Sequence, residues 1–167
     1  MSRKEETTDK NVFKEARLKA AETNDNLKTL ESACEILHIT REKLGQIEQD
    51  DPRKKRIDPD REDVIAMIDA YKAPELRSYY CGKICPLGVD RVPVLDCNDF
   101  YSISFRLGVT LNQLDELLGD FGRILKDGKI DKKEKEQFTN ILTSLKEFAT
   151  QVGNLDLWAE KNVTEDS

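Results

Sequence analysis

The sequence predicts an all-α protein in two parts, a five-helix domain followed by a C-terminal αα-hairpin. Three observations predict it. Apolar residues recur at spacings of three and four along most of the chain. Of the 167 residues, 38% are hydrophobic and 36% charged, a polar balance that suits thin helical layers better than a wide buried sheet. Capping residues and prolines stand where helices of ordinary length would begin.

In residues 11–80, Phe13, Ala16, Arg17 and Ala20 mark a first helix, and the polar run Thr23-Asn24-Asp25-Asn26 ends it. Leu30, Ala33, Cys34 and Leu37 mark a second. Thr40 is a good N-cap for a third, with Leu44 and Ile47 on its inner face. Asp58 to Asp63 offer a capping residue, Pro59 for the first turn, and acids where the helix dipole favours them. Val64, Met67, Ile68 and Tyr71 then follow at i, i+3, i+4 and i+7. Pro74 opens a fifth helix carrying Leu76, Tyr79 and Tyr80.

Residues 81–98 hold Gly82, Pro86, Gly88 and Pro93 without a helical period, and read as a linker or wrapped connection. Over 99–163 a heptad-like seam runs through Phe100, Ile103, Leu107, Thr110, Leu114, Leu117, Phe121 and Ile124. Lys126-Asp127-Gly128-Lys129 interrupts it, and Phe138, Ile141, Leu145, Phe148, Val152 and Leu155 resume it. Two helices joined by a short turn form an αα-hairpin. Its apolar stripes are too wide for one hairpin to cover, which predicts pairing with a second copy or with the first domain.

Several classes are set aside. No apolar run approaches the ~20 residues that cross a bilayer, and the charged stretch Met1 to Lys10 has no apolar core behind it, so neither a membrane span nor an export signal is expected. The four cysteines then read as reduced thiols of a cytoplasmic protein. A single histidine excludes H-E-x-x-H chemistry, and G-x-S-x-G, P-loop and G-x-G-x-x-G motifs are absent, so the chain reads as no enzyme and needs no cofactor. The segment Asp127 to Glu134 mimics the end of a calcium loop, but Arg123 and Leu125 occupy positions where oxygen ligands belong. Cys81, Cys85 and Cys97 supply three thiolates, one short of a structural zinc site, and leave metal or oxidant sensing as an alternative role.

One segment carries chemistry. In Leu30 to Gln49, LESACEILHITREKLGQIEQ, Ala33, Cys34, Leu37, Ile39, Leu44 and Ile47 fall where two crossing helices lock together, and His38 falls in the turn. The segment resembles the Xre/Cro, lambda-repressor-like helix-turn-helix family, which ends in a pattern similar to Leu44-Gly45-Gln46-Ile47-Glu48. The resemblance covers about residues 11–80. It departs from the family at Cys34, usually Ala, at His38, usually Gly, and at Leu30, usually Gln, and the span from Arg17 to Cys34 is longer.

The resemblance implies a sequence-specific DNA-binding transcriptional regulator of bacterial or phage type. It implies that Arg17 pairs with Glu48, and that helix 40–48 enters the major groove with Thr40, Arg41, Glu42, Lys43 and Gln46 outward. Arg41 and Lys43 suit guanine, Gln46 adenine, and Glu42 the cytosine amino group. Although the net charge is −6, Arg53-Lys54-Lys55-Arg56 forms a local cation block suited to the phosphate backbone of double-stranded DNA. A homodimer through 99–163 would set two such helices one DNA turn apart, ~34 Å. The alternative is a protein-interaction adaptor that keeps the fold without specific DNA binding, which Leu30, Glu42 and the acidic total favour.

Overall fold

Asn11 fixes where the first helix begins. Its side-chain oxygen accepts from the Phe13 and Lys14 amides, and its Nδ2 donates to the Ile47 carbonyl at 2.6 Å. The structure, a computed structural model, describes residues 11–89, 91–96, 99–124, 130–132 and 134–163. The described residues are helical throughout their regular elements, with seven α-helices and no strand. The chain divides into two compact units, Met1–Val94 and Leu95–Ser167.

In the first unit α1 spans Val12–Ala20, α2 Leu30–Leu37, α3 Arg41–Ile47, α4 Arg61–Tyr71 and α5 Glu75–Tyr79. Side-chain oxygens of Thr29, Thr40 and Asp60 cap α2, α3 and α4, each satisfying an amide that the helix leaves unpaired. Phe13, Leu27, Ala33, Leu44, Ile47, Met67 and Leu76 form a fully enclosed core. Burying a large apolar side chain of this kind contributes about 1.5–3 kcal/mol. The Phe13 and Tyr79 rings meet edge to face, 5.7 Å apart, tying α1 to α5.

Two local expectations need correction. The polar run after α1 is more than a break: Asp25–Leu27 forms a 3₁₀ turn, capped by Asn24, that drives Leu27 into the core. Pro59 is not in the first turn of α4. The helix begins at Arg61, because Asp60 and Asp63 exchange side-chain and backbone hydrogen bonds as a reciprocal capping box.

After α5 the chain makes one π-helical turn, Tyr80–Ile84, closed by the Cys85 amide on the Tyr80 carbonyl at 2.8 Å. It then wraps back tightly. A Cβ at Gly88 would lie 2.1 Å from the Cys81 carbonyl oxygen, and one at Gly82 2.6 Å from that of Val92, so only glycine fits at either place.

In the second unit α6, Phe100–Ile124, and α7, Glu134–Asn162, pack antiparallel, with Phe100 at the start of one against Trp158 near the end of the other, ring centroids 4.8 Å apart. Ile103 and Thr110 of α6 are buried, and Leu107 and Phe121 half-buried. The side chains of Leu114, Leu117 and Ile124, and the turn Lys126 to Lys129, lie outside the described residues.

The expected α7 seam holds at Ile141, buried, and at Phe138, Phe148 and Leu155, half-buried, and departs at Leu145 and Val152, which are exposed. Leu157 is buried as well, and so are the polar Gln151 and Asn154. The segment entering α6 packs on the C-terminal part of α7. The Asn154 side-chain oxygen accepts from the Asp96 amide at 3.0 Å. Gly153 lies beneath Leu95, where a Cβ would come within 2.9 Å of a Leu95 methyl.

Candidate nucleic-acid interface

α2 and α3 are joined through His38, whose backbone is left-handed at φ 55° and ψ 35°. The His38 and Ile39 amides both return to the Cys34 carbonyl, which closes the end of α2 and turns the chain sharply into α3. A non-glycine residue in this region costs roughly 1–2 kcal/mol. Buried Leu37, Leu44 and Ile47, with Ile39 partly covered, anchor both helices to the core and offset that cost.

Beneath α3, Arg17 and Glu48 form a buried, bidentate ion pair. Arg17 Nε donates to Glu48 Oε1 at 2.8 Å and Nη2 donates to Oε2 at 2.7 Å, while Nη1 donates to the Leu27 carbonyl at 2.8 Å. The hydrogen bonds it donates to Glu48 hold the guanidinium above its ordinary range against the opposing effect of burial. Tyr71 and Cys34 lie in the same electrostatic neighbourhood, and burial pushes both above their usual values. Among the described residues the Tyr71 hydroxyl has no hydrogen-bond partner.

On the outward side Thr40, Arg41 and Glu42 are exposed, and Lys43 and Gln46 half-buried. The Thr40 hydroxyl is committed to the Lys43 amide at 3.2 Å. The longer side chains are engaged within the molecule. Arg41 Nε lies 2.6 Å from Glu31 Oε1, and Gln46 Nε2 donates to Glu42 Oε1 at 3.1 Å. Lys43 Nζ bridges Asp60 at 2.8 Å and Asp63 at 2.7 Å, which raises the lysine and lowers Asp60. The Arg41–Glu31 pair is open to water on both sides and so holds only lightly. The lysine is held harder, because its partner Asp63 is buried and belongs to the capping box of α4.

The loop after α3 presents Arg53, Lys54, Lys55 and Arg56, all exposed. Arg53 is forked onto Asp51, its Nε 3.0 Å from Oδ1 and its Nη2 3.1 Å from Oδ2, which raises the arginine and lowers the aspartate. Lys14 of α1 pairs with Asp50 beside the same loop.

The helix 40–48 side chains and the 53–56 cations therefore belong to one continuous α3–loop segment. Two structural participants were not singled out from the sequence, Asn11 and Glu31, and Asp60 and Asp63 were read only as part of a helix start and not as partners of Lys43. Asn11 had a readable signal, a capping residue just ahead of an apolar period. The contacts of Glu31 with Arg41 and of Asp60 and Asp63 with Lys43 act across turns, and spacing gives no sign of them.

The half-buried thiols of Cys81 and Cys85 are free, and Cys97 lies outside the described residues. Among the described residues no group of three or more His, Cys, Asp or Glu side chains is placed to hold a metal ion. Nor is any described helix long and apolar enough to cross a membrane. No protein-family model, curated protein or solved structure matches the chain.

Proposed function

We propose that the chain is a sequence-specific DNA-binding transcriptional regulator with a lambda-repressor-like first domain, working in the cytoplasm as a homodimer through 99–163. The observation that carries this reading is the α2–His38–α3 corner. Two short helices cross at a left-handed residue and are anchored from below by Arg17 and Glu48, and α3 turns polar side chains outward. In this reading Arg41, Lys43, Gln46 and Glu42 meet base edges, and Arg53 to Arg56 meet phosphates, which supply affinity without sequence information. The test is selection of folded protein against a random duplex library at physiological salt, with sequencing of the bound pool. A roughly two-fold-symmetric enriched site supports the regulator, and absence of enrichment overturns it.

The second reading is an adaptor that binds protein through the same domain. It is favoured by the internal pairing of Arg41 with Glu31, Lys43 with Asp60 and Asp63, and Arg53 with Asp51, which sets several cations against carboxylates of the same chain.

A further inference from the structure

The π-turn after α5 brings together two cysteines, Cys81 and Cys85, that the proposed function does not use. Both thiols are free and half-buried. Four residues apart, they stand on one face of the turn. Cys85 closes it, with its amide on the Tyr80 carbonyl at 2.8 Å and its φ still helical at −66°. Its Cβ therefore keeps the helical direction, leaning towards the N-terminus and so towards Cys81. Both cysteines are also electrostatic neighbours of the Tyr80 hydroxyl. The backbone beneath the pair is well tied. The Cys85 carbonyl accepts from the Gly88 and Val89 amides at 2.9 and 3.0 Å, and the Arg91 and Val92 amides return to the Gly88 carbonyl. Gly88 lies against the Cys81 carbonyl, with no room for a Cβ between them. Two ligand atoms on such a frame are set in place before anything binds, which lowers the cost of binding.

The spacing decides what the pair suits. Helical neighbours four residues apart hold their Cβ atoms about 5–6 Å from each other, whereas a disulfide needs about 3.5–4.5 Å. A direct sulfur–sulfur bond would have to compress the turn. One atom between the sulfurs needs no compression, since two metal–thiolate bonds of about 2.3 Å in line span about 4.6 Å. Zinc takes four ligands, and among the described residues no group of three or more His, Cys, Asp or Glu side chains is placed to supply them. Thiolates select soft cations, and monovalent copper is a soft cation that two sulfurs in line satisfy.

We infer that Cys81 and Cys85 form a two-thiolate clip for a soft monovalent cation of the copper(I) class. Binding exchanges the two thiol protons for one cation. No electron moves, and the filled clip carries one net negative charge. The inference stands independently of DNA binding, and it narrows the thiol chemistry of the chain to two of its four cysteines.

The experiment is an anaerobic titration of the reduced, tag-free full chain with copper(I) held by bicinchoninate, whose colour fades as the protein takes the metal. The wild type is expected to take one copper per chain, with two sulfur neighbours and no nitrogen in its X-ray absorption spectrum. Cys81→Ser and Cys85→Ser are each expected to weaken binding at least about 100-fold, because a lost ligand costs more than a lost supporting group. Their helicity and melting should match those of the metal-free wild type. Since either serine also sits in the turn, a second variant leaves the turn untouched. Cys34→Ala combined with Cys97→Ser keeps only the pair and is expected to bind copper like the wild type. A wild type that leaves copper with bicinchoninate overturns the inference. So does a sulfur count other than two, loss of binding in the folded variant that keeps only the pair, or uptake that survives removal of both Cys81 and Cys85.

Discussion

The Arg17 guanidinium and the Glu48 carboxylate meet through two hydrogen bonds of 2.7 and 2.8 Å beneath the proposed recognition helix, both side chains almost wholly out of water. Glu48 is the C-cap of α3, and Arg17 also reaches the Leu27 carbonyl, so one pair joins α1, the turn before α2 and the end of α3. Glu48→Ala leaves a buried guanidinium uncompensated and is expected to cost about 3–5 kcal/mol. Replacing both partners by apolar residues of similar volume should cost far less. Urea denaturation of the three proteins checks this, and single and double variants of equal stability would refute it.

At the turn, His38→Gly is expected to stabilise the first unit by up to about 1 kcal/mol, because glycine takes the left-handed conformation without the Cβ penalty. His38→Val should destabilise it, a β-branched residue being least at ease there. Thermal melts at one pH decide. An unchanged or lower melting point for the glycine variant would show that the His38 ring contributes more than its backbone costs.

Asp60 gives an acid signature. Its carboxyl is held below the ordinary value of 3.8, chiefly by the hydrogen bond from Lys43. A lowered carboxylate contributes stability above its unfolded pKa and loses it as pH falls through the folded one. Stability of the wild type should therefore drop on acidification below about pH 3.8, and Asp60→Asn should flatten part of that drop. Denaturant midpoints across a pH series read the difference, and superimposable acid limbs would remove Lys43–Asp60 from the account.

For DNA, four cations in each of two subunits give about eight phosphate contacts and a log–log salt slope of about −7. The structure sets one of the four apart. Arg53 is forked onto Asp51, so Arg53→Ala should flatten the slope less than Lys55→Ala does. Arg41→Ala and Lys43→Ala should each relax sequence preference by about 1–3 kcal/mol at the base that side chain reads. Duplex titrations at several salt concentrations test all four variants, and a wild-type slope near −2 would detach the 53–56 block from the backbone.

Two glycines should respond in opposite directions. At Gly45 of α3 an added Cβ meets nothing within 4 Å, so Gly45→Ala should gain up to about 1 kcal/mol of helix propensity. At Gly153 of α7 it would press on the Leu95 side chain, so Gly153→Ala should gain less or destabilise outright. Equal shifts in denaturation midpoint would mean that Leu95 does not hold its place.

The helices were legible because each declares itself locally, by an apolar period and by a cap such as Thr40 ahead of α3. The site was legible as positions and not as partners. That Lys43 lies between Asp60 and Asp63 depends on how the loop after α3 returns, which no short-range pattern encodes. The buried polar positions of α7 were missed for the same reason: Asn154 and Gln151 are polar by type, and only the Asp96 amide, 58 residues away along the chain, makes the interior the better place for Asn154.

Asn11 has a kinetic consequence. With its oxygen it caps the start of α1, and with its amide it holds the last carbonyl of α3, 36 residues away. The first turn of one helix and the last turn of the other therefore share a latch. Neither can fray without releasing the other, so their slow-exchanging amides should become labelled together with one opening free energy, although one lies at the edge of the fold and the other at its proposed reading head.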